Sequence, residues 1–148
     1  MHYELFMGAA LGEARAALDR GERPRGAAAV LGDALVASGH EEVAERMDPT
    51  AHAVMVTLRE AAQRLGTRSL AGATIFATVE PCPMCVGAML EADVDCLVYA
   101  LPDPVSGAAG SVVQLANNPA LPRRVDLISG ILRSDVAELQ EAAAAGRA

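Results

Sequence analysis

The chain has 148 residues, of which 52% are hydrophobic and 21% charged; this suits one core-forming domain over residues 1–148 and excludes a disordered segment. Its net charge of −7, with Tyr3, Phe6, Phe76 and Tyr99 as its only aromatics, argues against a basic nucleic-acid surface and an aromatic stacking platform. All 12 basic residues are arginine, so a P-loop lysine, a Schiff-base lysine and a Ser–Lys dyad are excluded.

Residues 3–20 place Met7, Leu11, Ala14 and Leu18 at helical spacing, which predicts an amphipathic helix ended by Gly21 and Pro24. Gly26 to Leu31 and Ala34 to Ser38 flank Gly32-Asp33 and predict a β-hairpin. Residues 39–47 are a polar connection. Asp48-Pro49-Thr50 predicts a helix start running to about Leu65, with Met55, Leu58, Ala62 and Leu65 facing the core. Thr74 to Val79 is a buried strand stopped by Pro81. A helix from Pro83 to about Ala92 and a strand from Val94 to Ala100 follow, with Cys96 mid-strand as a buried apolar residue. A loop over 101–111, a short helix over 111–116 and a strand from Arg124 to Ser129 complete the middle. Asp135-x-x-Glu138 predicts a capped final helix, whose Ala142–Ala145 end is expected to fray. Alternating strands and helices predict an α/β layered fold with a mixed sheet of about five strands.

No run approaches the ~18 apolar residues of a membrane span, and Met1-His2-Tyr3-Glu4 lacks a signal peptide's basic and apolar regions. The expected compartment is the cytoplasm. Arg23 with Arg25, and Arg123 with Arg124, are read as solvated surface pairs.

Chemistry concentrates at Pro81-Cys82-Pro83-Met84-Cys85, between a predicted strand and a helix mouth. Two thiols two residues apart can grip one ion, and a helix N-terminus stabilises thiolates. By itself the pattern fits a zinc site or a thioredoxin-like redox pair. His52, expected in the first turn of the preceding helix, favours zinc. Three ligands, His52, Cys82 and Cys85, leave a fourth tetrahedral position for water.

Asp48 to Ala53, Thr78 to Cys85 and Gly107 to Ser111 together resemble the cytidine deaminase-like zinc deaminases, in particular the branch of tRNA adenosine deaminases and guanine deaminases. The resemblance spans roughly residues 3–140. It implies a three-layer α/β/α fold with a five-stranded sheet, one Zn2+ per chain on His52, Cys82 and Cys85, and a homodimer. The implied reaction is hydrolytic deamination of a nucleobase-like amine.

Four departures accompany the resemblance. The family's proton-carrying Glu falls two residues after the His ligand, where this chain has Val54, as does the non-catalytic subunit of the eukaryotic heterodimeric tRNA adenosine deaminase. Glu41, Glu42 and Asp103 are candidate substitutes, with Glu80 expected to act structurally. A base-contacting Asn of the tRNA enzymes aligns with Glu41. Their basic C-terminal helix is reduced here to Arg147, and their Ser-Arg after the Cys helix is Ala92-Asp93. These changes lead us to expect a small aminated heterocycle as partner, with tRNA unfavoured for the isolated chain. The alternative is a silent zinc-binding subunit, heterodimeric with a deaminase, or an engineered inactive variant.

Overall fold

The computed structural model describes residues 1–146. Its strands are β1 (Gly26–Leu31), β2 (Ala34–His40), β3 (Thr74–Val79), β4 (Cys96–Leu101) and β5 (Asp126–Ser129). Its helices are α1 (Tyr3–Asp19), α2 (Val43–Arg46), α3 (Ala53–Leu65), α4 (Pro83–Glu91) and α5 (Arg133–Gly146). Successive strand residues leave opposite sheet faces, and this alternation builds the layers. Ala27, Ala29, Ile75, Ala77 and Leu97 pack with Val54, Leu58, Val86 and Met89, so α3 and α4 cover one face. Ala28, Val30, Phe76 and Val98 pack with Phe6, Met7, Leu11 and Val136, so α1 and α5 cover the other.

The sheet order is β2-β1-β3-β4-β5. β1 runs antiparallel to β2 and β3, while β3, β4 and β5 are parallel. Every residue of β3 is buried, as a strand covered on both faces must be. The expected mixed five-stranded α/β/α arrangement is therefore present. Gly32 and Asp33 turn the β1–β2 hairpin with φ of 59° and 60°, the paired positive values of a type I′ turn.

Several local expectations fail for identifiable reasons. α3 opens at Ala53 and not at Asp48. The Asp48 carboxylate accepts from the Thr50 N–H at 2.9 Å and the Thr50 hydroxyl at 2.7 Å, so the capping chemistry closes a separate turn before the helix. The buried face of α3 is Ala53, Val54, Thr57, Leu58 and Ala61, and Leu65 is exposed; the later start moves the face against the sheet. Residues 39–47 are not all loop: β2 extends to His40 and α2 follows. The Glu22 carboxylate holds α2 by accepting from the Ala44 and Glu45 N–H groups.

The short helix expected over 111–116 is absent. An isolated bridge joins Ala109 and Gln114 instead. Cys96 opens β4 and is partly exposed, so it is neither mid-strand nor fully buried. α5 begins at Arg133, with Asp135 inside its first turn and not at the cap. The alanine stretch 142–145 lies within α5, and Ala143 is buried. Arg147 lies outside the described residues. Among the described residues, no helix is long and apolar enough to cross a membrane.

Candidate metal centre

Two helix N-termini meet at one end of the sheet. His52 is the N-cap residue of α3, and Cys82 is the N-cap of α4. Pro83 occupies the first position of α4, where its missing N–H costs nothing. Cys85 then falls one turn into α4. The Cys82 and Cys85 Sγ atoms are 3.7 Å apart, and His52 Nδ1 lies 3.4 and 3.6 Å from them.

This triangle has the dimensions of a shared tetrahedral ion. Zn–S bonds of about 2.3 Å and Zn–N bonds of about 2.0–2.1 Å require edges of about 3.8 Å between sulfurs and about 3.6 Å from nitrogen to sulfur. A disulfide needs sulfurs about 2.05 Å apart, and all three cysteines are free thiols. The donor set and its spacing therefore fit Zn2+, as the sequence led us to expect. Hydrogen bonding with the Cys85 thiol and backbone, with His52 adding to it, draws the Cys82 thiol down to about 5. The Cys82 sulfur and burial push the Cys85 thiol up, although the Met55 backbone N–H opposes this. Both sulfurs bind metal as thiolates, so metal binding must expel the proton the pair still shares.

Val54 is buried and lines the cavity beside the three ligands, with Glu41, Arg23 and Arg25. The cavity leaves about 20 Å³ for the centre of a water molecule, room for about one. Glu41 is buried, 2% exposed, although it lies in the polar connection after β2. Both its oxygens accept from Arg23, one from Nε and one from Nη2 at 2.9 Å. Glu42 pairs with Arg46 and lies 3.7 Å from His40, outside the cavity lining.

Asp103 also lies outside the lining. It organises its own turn, accepting from the Val105 N–H at 2.9 Å and the Ser106 hydroxyl at 3.0 Å, and receives Arg25 at 3.3 Å. Burial raises its carboxyl, but the Val105 N–H, the Ser106 hydroxyl and Arg25 outweigh this and hold it below the ordinary value. Glu80 is fully buried behind the ligands. It accepts from the N–H groups of Asp103, Ala109 and Ser111 at 3.1, 2.9 and 3.1 Å and from the Ser111 hydroxyl. Loop 102–111 is thereby clamped against the site, matching the structural role expected of Glu80.

Arg23 is exposed, as the sequence reading had it, and Arg25 is partly buried; what that reading missed is that both line the cavity. Their signal was available: two charges around Pro24, immediately before a buried strand.

Residues 1–101 match the family model for the cytidine and deoxycytidylate deaminase zinc-binding region. The chain belongs to this family. It is 36% identical over 132 residues to the tRNA-specific adenosine deaminase of Bacillus subtilis, covering 89% of this chain and 82% of that protein. It is 39% identical over 134 residues to the tRNA-specific adenosine deaminase of Agrobacterium fabrum, covering 90% and 88%. A solved structure from work on A-to-I editing by tRNA:A34 deaminases superposes with a TM-score of 0.88 and 38% identity, covering 91% of this chain and 98% of that one. The guanine deaminase of Nitrosomonas europaea superposes at 0.79 with 25% identity, covering 96% and 84%.

The tRNA-specific names of these relatives overturn the expectation of a small heterocycle as partner with tRNA unfavoured. Net charge over the whole chain is a weak guide to one binding face, because screening limits each charge to about 8–10 Å.

Proposed function

We propose that this chain is a zinc-holding, tRNA-engaging member of the deaminase family that lacks its own proton carrier and works as the silent subunit beside a catalytic one. The observation that carries this reading is Val54. It lines the cavity with His52, Cys82 and Cys85, where hydrolysis requires a group that takes a proton from water and delivers it to the leaving amine. An isopropyl side chain can do neither. Glu41 is the one carboxylate on that lining, and Arg23 already engages both its oxygens. The identity to tRNA-specific deaminases over most of the chain supports tRNA as the nucleic-acid ligand.

Bound zinc would supply a Lewis acid able to bring water into its reactive range near neutral pH. The chain itself supplies the three ligands, two positive helix ends and a clamped loop. Among the described residues, the cavity lining holds one carboxylate, Glu41, and it is already engaged by Arg23.

The test is adenosine-to-inosine conversion in a tRNA transcript, with the zinc-loaded chain alone. The parent should bind the transcript and leave it unmodified. Val54→Glu should raise turnover by about 10²–10⁴-fold, the ordinary scale of a positioned acid–base group. Vigorous turnover by the parent would refute the silent-subunit reading; failure to bind the transcript at ~150 mM salt would refute tRNA engagement.

A further inference from the structure

The cavity beside the ligands is partly open, and its lining includes the partly exposed His52 and Cys82. A groove of about 530 Å³ lies outside it, within the size range of small-molecule sites. Arg23, Glu41 and His52 line both the inner cavity and the outer groove. The Arg23–Glu41 ion pair therefore sits where a nucleotide-sized groove meets a cavity that holds about one water.

The two halves of this pair differ in freedom. Glu41 is buried, while the Arg23 side chain is 43% exposed and can be reached from the groove. The backbone behind them is pinned: Glu41 N–H donates to the Arg25 carbonyl at 3.1 Å, Arg25 N–H to the Arg23 carbonyl at 2.8 Å, and Gln140 Nε2 to the Pro24 carbonyl at 2.7 Å. Arg25 is anchored on Asp103. Of the two, the Arg23 side chain is the one that a ligand in the groove can reach.

Removing Arg23 from Glu41 leaves a buried carboxylate without its partner, which is costly. A ligand can offset that cost only by serving both groups. An anionic phosphodiester can take the guanidinium bidentately. An amino-bearing base can donate to the freed Glu41. A free base or nucleoside lacks the anion, and inorganic phosphate lacks the donor.

We propose that Arg23 is a specificity gate: with Glu41 it keeps free nucleobases and nucleosides off the floor of the groove beside the ligands, and it opens to a phosphodiester-linked, amino-bearing nucleotide. This deepens and rests on the RNA reading above. The ion pair becomes a selector because its two members match the two ends of one nucleotide unit.

Fluorescence titration of the zinc-loaded protein with 2-aminopurine riboside, and with a dinucleotide carrying the same base on a 5′-phosphodiester, tests this. The parent should bind the dinucleotide at least about 10-fold more tightly than the riboside. Arg23→Ala should bind the riboside more tightly than the parent does and lose the dinucleotide preference, while Arg23→Lys keeps part of it. A merely structural role for Arg23 would weaken both probes together. Should Arg23→Ala fail to fold, Glu41→Gln retains the shape, releases Arg23 and should likewise admit the riboside. Equal affinities for the two probes in the parent would overturn the gate, as would an unchanged ratio in Arg23→Ala or, in its place, Glu41→Gln. tRNA binding is scored separately. Its loss with the probe ratio intact defeats the RNA reading alone, whereas bound tRNA with an unchanged ratio defeats the gate alone.

Discussion

At the residue scale, the chemistry of the site turns on which acids are already engaged. Val54 removes one proton carrier, and the candidate replacements are spoken for by arginines. Asp103 shows what such engagement does to a titration. Its carboxyl is held below the ordinary value of about 4, so its charge stabilises the fold above the unfolded value and that contribution disappears as pH falls through the folded one. Asp103→Asn keeps an acceptor for the turn N–H groups but discards the charge facing Arg25. It should melt lower than the parent at pH 7, with the difference shrinking as pH drops below about 4. Thermal melts of both proteins between pH 7 and pH 3 check this; a constant gap would show that the charge is unimportant.

At the scale of elements, the ligands depend on two helix mouths and on the loop that closes over them. Glu80 ties that loop to the end of β3 through three backbone N–H groups. Gly107 is required because a Cβ there would overlap the Glu80 carboxyl. Glu80→Gln retains volume but turns an NH2 toward backbone donors, leaving buried N–H groups unmatched. The expected loss is about 2–4 kcal/mol, the range for a broken buried polar network. Urea denaturation should show it as a lower midpoint with an unchanged slope. A loss below about 0.5 kcal/mol would mean that the loop is held by other contacts.

At the scale of the molecule, the metal joins segments thirty residues apart in sequence, so its binding free energy is also folding free energy. At metal a thousandfold above its dissociation constant this amounts to about 4 kcal/mol. For a chain of 148 residues stripping zinc with a chelator should lower the melting temperature by roughly 10 °C. Cys82→Ser should melt near the stripped protein and respond little to added zinc. Calorimetry with and without chelator measures both; coincident transitions for the parent would show that the site does not hold metal in solution.

How much of this was legible in the sequence depends on the range of the interaction. β3, the hairpin turn and the opening of α4 follow from nearest neighbours: a β-branched apolar run, Gly32-Asp33, and Pro83 after Cys82. Cys82 and Cys85 are placed together by one helical turn, and the resemblance of three separated motifs brought in His52. The start of α3 was misjudged because Asp48 had two uses, a helix cap or a self-closed turn, which local chemistry does not distinguish. The burial of Glu41, the pairing of Arg23 with Glu41 and of Arg25 with Asp103, and the clamp at Glu80 were decided only by tertiary structure. Each joins groups 18 to 78 positions apart in the chain. A sequence lists charges one by one; which of them meet, and which therefore lose water and gain a partner, is settled when the strands take their order and the loops converge at one end of the sheet.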